Sequence, residues 1–143
     1  MRKELYLIFV LFLVSCNGGC WLARVVELGD DFALVESDER WIEIFYSYGR
    51  NERCFDGRNS VCVVPAKVIA YNSDDRWIIA KSHSASTKTD SYYIIDKEYD
   101  FTRLGYEEEL KRLTIGPLDS IQFQKEKLRY GIKLELKDSN KLK

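Results

Sequence analysis

Histidine and methionine each occur once in this chain of 143 residues, and proline twice. With His83 the lone imidazole, a Ser-His-carboxylate triad or a histidine-rich metal site has one position to draw on. No G-x-S-x-G elbow seats a serine on a strained turn, so the serines around His83 read as a polar hairpin loop. A C-x-x-C redox pair is also missing. Asp30-Asp31 and Asp74-Asp75 do not continue into the D-x-D-x-D-G loop of a calcium site, and turn chemistry accounts for both. Nothing singles out a carboxylate pair for glycoside hydrolysis. Neither sign of charge prevails: 22 basic residues against 23 acidic ones leave a net charge of −1, with no basic stripe for a nucleic acid. The expectation is a chain without cofactor, metal or catalytic residues.

One apolar stretch is present, Leu5 to Val14, behind the positive pair Arg2 and Lys3. It is shorter than the about 20 residues that cross a bilayer as a helix, and it has the length of a secretory h-region. It ends in Leu13-Val14-Ser15-Cys16, an aliphatic residue three before a cysteine and a small one directly before it. This resembles the lipobox of bacterial lipoproteins. The resemblance implies cleavage before Cys16, a diacylglyceryl thioether on Cys16 and a further acyl chain on its freed amine, which together hold a protein firmly on a membrane. Asn17 in place of Asp points to the outer membrane over the inner one, by the same resemblance. Two competing readings are an uncleaved span from Leu5 to Ala23 and a plain signal peptide cut near Ser15 to Gly19.

The expected organisation is a signal peptide over residues 1–15, a lipidated tether over 16–20, a single globular domain over 21–137 and a flexible tail over 138–143. If Cys16 carries lipid, Cys20, Cys54 and Cys62 remain. Cys54 and Cys62 are the natural disulfide, because Asp56-Gly57 and Asn59 between them favour a turn; closing so short a ring contributes about 2.5 to 3 kcal/mol in the chain-entropy model. Pairing of Cys20 with either one is the alternative.

The globular part reads as α+β: an antiparallel meander of about six strands with a short helical segment near the C-terminus. Strand signals cover Ala23 to Leu28, Phe32 to Glu36, Trp41 to Tyr48, Val61 to Val64, Lys67 to Tyr71, Arg76 to Ser82 and Ser91 to Asp96, punctuated by Gly29-Asp30-Asp31 and Asn72-Ser73-Asp74-Asp75. In Trp41 to Tyr48 the alternation assigns Ile42, Ile44, Tyr46 and Tyr48 to the core. Ser37-Asp38-Glu39-Arg40-Trp41-Ile42 returns as Ser73-Asp74-Asp75-Arg76-Trp77-Ile78 without a third copy, as expected of two hairpins built on the same turn. Both tryptophans are expected to pack across the sheet just past that turn. Tyr106, Leu110 and Leu113 predict a helix over 105–114, ended by Gly116-Pro117. Asp119 caps a candidate second helix carrying Ile121 and Leu128, although Ile121 and Phe123 also alternate like a strand. Ile132, Leu134 and Leu136 alternate as a final strand.

The most suggestive binding patch is Tyr46, Tyr48, Arg50, Arg53, Phe55 and Arg58, which sets aromatics and guanidinium groups on and beside the Cys54 to Cys62 loop. The functional expectation is a non-enzymatic, membrane-tethered envelope module that binds a protein or a glycan, with no nucleic-acid partner. An inhibitor or immunity lipoprotein that presents the Cys54 to Cys62 loop to an envelope hydrolase or toxin is the second class. A small envelope enzyme, which would need a concave pocket of converging polar groups, is the third.

Overall fold

A computed structural model describes residues 23–47, 60–98 and 114–141. Their architecture is mostly β: nine strands in two antiparallel sheets, with one α-helix, among the described residues. Sheet A is a four-strand meander of β1 (Arg24–Gly29), β2 (Phe32–Asp38), β3 (Trp41–Ser47) and β4 (Ser60–Val64). Sheet B is ordered β8-β7-β6-β5-β9, from β5 (Val68–Ser73), β6 (Trp77–Ser84), β7 (Thr89–Asp96), β8 (Ile115–Leu118) and β9 (Lys137–Asp138). The helix, α1, spans Ser120–Arg129.

The expected six-strand α+β meander is therefore corrected. Neighbouring strands do pair as expected within each sheet, but the ladder stops between β4 and β5, where the chain passes Pro65 and starts a second sheet. Proline has no N–H to donate to a ladder, so this is a natural place for pairing to end.

Turn chemistry sets the hairpins. Gly29, Asp30 and Asp31 have φ of 87°, 51° and 66°, the left-handed region that glycine enters freely and aspartate tolerates, and they connect β1 to β2. The repeated Ser-Asp-x-Arg-Trp-Ile segment makes the same turn twice. Asp38 Oδ1 accepts from the backbone N–H of Arg40 and Trp41 at 2.6 and 3.1 Å, and Asp74 Oδ1 accepts from Arg76 and Trp77 at 2.9 and 2.7 Å. The tryptophans that follow part company. Trp77 is buried, whereas Trp41 is exposed and does not pack as expected, because it faces outward from sheet A.

The two sheets face each other across one core. Phe32 and Leu34 of β2, Ile42, Ile44 and Tyr46 of β3, and Val61 and Val63 of β4 meet Val68 and Tyr71 of β5, Ile78 and Ala80 of β6, and Tyr93 and Ile95 of β7. The opposite face of sheet B carries a second cluster, in which Trp77, Ile79 and Ile94 pack against Phe123 of α1 and Ile132 beyond it. Covering both faces explains why Trp77-Ile78-Ile79-Ala80 is a continuous buried run that does not alternate with polar residues.

The C-terminal third departs from expectation in several places. Residues 105–113 of the predicted first helix lie outside the described residues. Gly116-Pro117 belongs to strand β8; a Cβ at Gly116 would stand 2.6 Å from Tyr93 Cδ1 and 2.7 Å from the Tyr92 carbonyl oxygen, at a φ of 148°. The capped second helix is present, with Asp119 and Gln122 exchanging hydrogen bonds at both ends of a capping box. Its buried side chains are Phe123 and Lys127, while Ile121 and Leu128 point outward. Gly131, at φ 66°, closes it in the left-handed conformation.

Residues 132–136 run extended without pairing, and the ladder resumes only where Lys137 and Asp138 meet Tyr71 and Ala70. The start of the predicted tail is thereby docked: Asp138 lies in β9, and Ser139 Oγ of the following 3₁₀ turn (Ser139–Lys141) donates to the Ile69 carbonyl at 3.1 Å.

Candidate functional site

Of the patch predicted around the disulfide loop, Tyr46 is described, and Tyr48, Arg50, Arg53, Phe55 and Arg58 lie outside the described residues, as do Cys54 and the candidate lipidation site Cys16. Tyr46 is 3% exposed, tilted against Phe32 with ring centroids 4.9 Å apart. It belongs to the intersheet core, which corrects its place in a ligand-binding patch and follows its position in the β3 alternation. Cys62 sits on β4, with Sγ 3.4 Å from the Val64 carbonyl oxygen and 3.8 Å from Glu43 Oε1. The loop leaves the sheet between Ser47 and Ser60, which are register partners.

The described residues carry a different polar cluster. On the α1 face of sheet B, alternation places Ile79, Lys81 and His83 of β6 in line, opposite Ile94, Tyr92 and Asp90 of β7. Under α1 this face is apolar. Tyr92 stacks on Phe123, with centroids 4.9 Å apart and planes at 27°. Past the helix the same face turns polar, and Asp90 bridges two partners: Lys81 Nζ donates to Oδ2 at 2.7 Å and His83 Nδ1 meets Oδ1 at 2.7 Å. Lys81 Nζ also stands 5.5 Å from the centroid of the Tyr92 ring.

The charges reinforce one another. The Lys81 hydrogen bond, followed by that of His83, holds the Asp90 carboxyl below its ordinary value; the Asp90 hydrogen bond in turn holds the Lys81 ammonium above its own. An ionised carboxylate only accepts hydrogen bonds, so His83 Nδ1 carries the proton toward Asp90 and Nε2 is the nitrogen turned to other partners. Both Asp90 oxygens are engaged.

Sequence reasoning placed His83 and Asp90 at the ends of a loop. In the structure they are paired strand residues, and the turn between them is the shorter Ala85 to Lys88, with Lys88 at φ 55°. The available signal was their even spacing about that turn.

A small cavity opens at the seam of the two sheets, lined by Arg24, Glu36, Ile42, Tyr71 and Asn140 among others, with a volume of about 10 Å³. That is room for about one water. Burial pushes the Tyr71 phenol up, Arg24 opposes that shift and Glu36 adds to it. Among the described residues no group of three or more His, Cys, Asp or Glu side chains is placed to hold a metal ion.

A family model described as "Protein of unknown function (DUF3997)" matches residues 29–140. The chain belongs to the DUF3997 family. The DUF3997 match runs from the last residue of β1 to the 3₁₀ turn after β9, so the Lys81-Asp90-His83 cluster and α1 lie inside it and the apolar N-terminal stretch lies outside it. No curated protein and no solved structure gives a significant match.

Proposed function

We propose that the chain is a lipid-anchored protein of the bacterial cell envelope whose two-sheet domain binds a protein or glycan partner and does not catalyse a reaction. The observation that carries the anchor is Leu13-Val14-Ser15-Cys16 at the end of the apolar stretch behind Arg2 and Lys3. Among the described residues no helix is long and apolar enough to cross a membrane. The seam cavity has room for about one water, so it is not offered as the site. The exposed face of β6 and β7 offers flat polar recognition in its place, through Nε2 of His83 and the ammonium of Lys81.

Intact mass of the protein taken from bacterial membranes, with and without reductant and alkylation, tests this reading. The expected chain begins at Cys16, is heavier by two or three acyl groups and contains one disulfide. A chain that begins at Met1 with four reactive thiols overturns the anchor. Crosslinking on intact cells then tests the partner, and a Lys81→Ala, His83→Ala double variant is expected to weaken its capture.

A further inference from the structure

Helix α1 is attached to sheet B along one side. Phe123 and Lys127 are buried, Lys127 Nζ donates to Glu135 Oε1 at 3.0 Å, and the helix lies over Tyr92, Ile79 and Ile94. With about 3.6 residues per turn, the opposite sector holds Ile121, Gln124, Lys125, Leu128 and Arg129. Ile121 is 80% exposed and Leu128 is 83% exposed. They stand seven positions apart on one face, about 10 Å along the axis. No carboxylate falls within that sector. Glu126 borders it and is bonded to Arg129, with Oε2 3.4 Å from Nη1. Tyr130 follows on the inner side, its ring 5.4 Å from that of Trp77, and exposed Lys133 lies just beyond.

Two isolated aliphatic side chains among cations match the chemistry of a bilayer surface. The aliphatic tips enter between headgroups, and the ammonium and guanidinium groups pair with lipid phosphates. A sector whose only charged side chains are Lys125 and Arg129 complements a negatively charged plane.

We propose that the outward face of α1 docks on the surface of an anionic bilayer, with Ile121 and Leu128 as the inserting residues and Lys125, Arg129 and Lys133 as the phosphate contacts. The proposal rests on the membrane-anchored reading above and adds to it the element that meets the membrane.

The test uses the full chain recovered from bacterial membranes and reconstituted into vesicles of phosphatidylcholine, with or without phosphatidylglycerol. Hydroxyl-radical labelling of residues 120–130 is read by mass spectrometry, and the intact mass of the same sample reports the anchor, so failure of the anchor and failure of docking are separate outcomes. In vesicles containing phosphatidylglycerol, labelling of Ile121 and Leu128 is expected to fall about fivefold or more relative to pure phosphatidylcholine, and to return in Lys125→Glu or at high salt. Phe123 stays unlabelled throughout, which shows that α1 remains folded in the variant. Equal labelling in the two kinds of vesicle overturns the proposal. Protection that appears in both kinds and grows with protein density overturns it as well, in favour of a second copy on this face.

Discussion

Phe123→Ala against Leu128→Ala is the sharpest test of how α1 is held. Both residues are large, apolar and on the same ten-residue helix, yet Phe123 is 1% exposed and Leu128 is 83% exposed. Removing a buried phenylalanine costs about 3 to 5 kcal/mol, which combines lost transfer energy with the cavity left between Tyr92, Ile79 and Ile94. The stacked contact with Tyr92 lies within that figure. Truncating an exposed leucine stays within about 0.5 kcal/mol. With a urea slope near 2 kcal/mol per molar, the first change lowers the unfolding midpoint by about 1.5 to 2.5 M and the second by about 0.25 M or less. Because the intersheet core shares no residue with the cluster under α1, the Phe123 variant is expected to lose hydrogen-exchange protection first in α1 and over residues 130–136. Urea unfolding followed by tryptophan fluorescence, with hydrogen exchange on the same variants, makes the comparison. A midpoint shift below about 0.5 M for Phe123→Ala, or equal shifts for the two variants, would refute this packing of the helix.

Three further outcomes are expected. Nuclear magnetic resonance titration should place the Asp90 carboxyl below the ordinary aspartate value, and Lys81→Met should move it back toward that value. A lowered carboxyl stabilises the fold above the unfolded pKa, and this contribution is lost as pH falls through the folded one; with Asp90 mostly in solvent it stays below about 1 kcal/mol. At the alkaline end, Tyr71 and Tyr93 should ionise late in an ultraviolet titration, since burial raises both phenols. Their contribution is complete below the free tyrosine value and falls as pH rises through the raised ones, so unfolding should coincide with their ionisation. Asp74→Ala removes the acceptor of two backbone N–H groups, one of them on buried Trp77, and should cost about 1 to 3 kcal/mol in urea unfolding; Asp74→Asn should recover most of it.

Local chemistry was legible where a residue type has one dominant reason to be in place. Gly29-Asp30-Asp31 reads as a turn because little else brings three left-handed residues together, and Asp119 with Gln122 reads as a cap because the two side chains satisfy each other's backbone. Alternation assigned Ile42, Ile44 and Tyr46 correctly because sheet A buries its inner face and leaves Trp41 outside. It failed for α1. The helix meets sheet B through Phe123 and the stem of Lys127, an amphipathic side chain that hydropathy counts as polar although it is buried, and the two residues that looked like the apolar face are the exposed pair. The polar cluster was hidden for a related reason: His83 and Asp90 sit among hydroxyl residues that suggest a loop, while their partnership depends on a strand register visible only in three dimensions.

The division into two sheets shows why a correct list of strands does not determine an architecture. Seven expected strands up to Asp96 all occur, each paired with its sequence neighbour except across one junction. As a single meander those strands would leave one broad face of the sheet in water, including either Ile78 and Ala80 or Ile79 and Ile94. Breaking the ladder after Val64 folds β5 to β7 back over β1 to β4, so that one face of each sheet is buried against the other. The back of sheet B then needs a cover, and α1 with the extended residues 132–136 supplies it. The cover ends before the β6-β7 hairpin does, and that shortfall exposes Lys81, His83 and Asp90. The polar cluster on the back of sheet B and the cationic outer face of α1 are thus two results of one packing solution, and the same sequence feature, an apolar run on β6 longer than one face can use, underlies both.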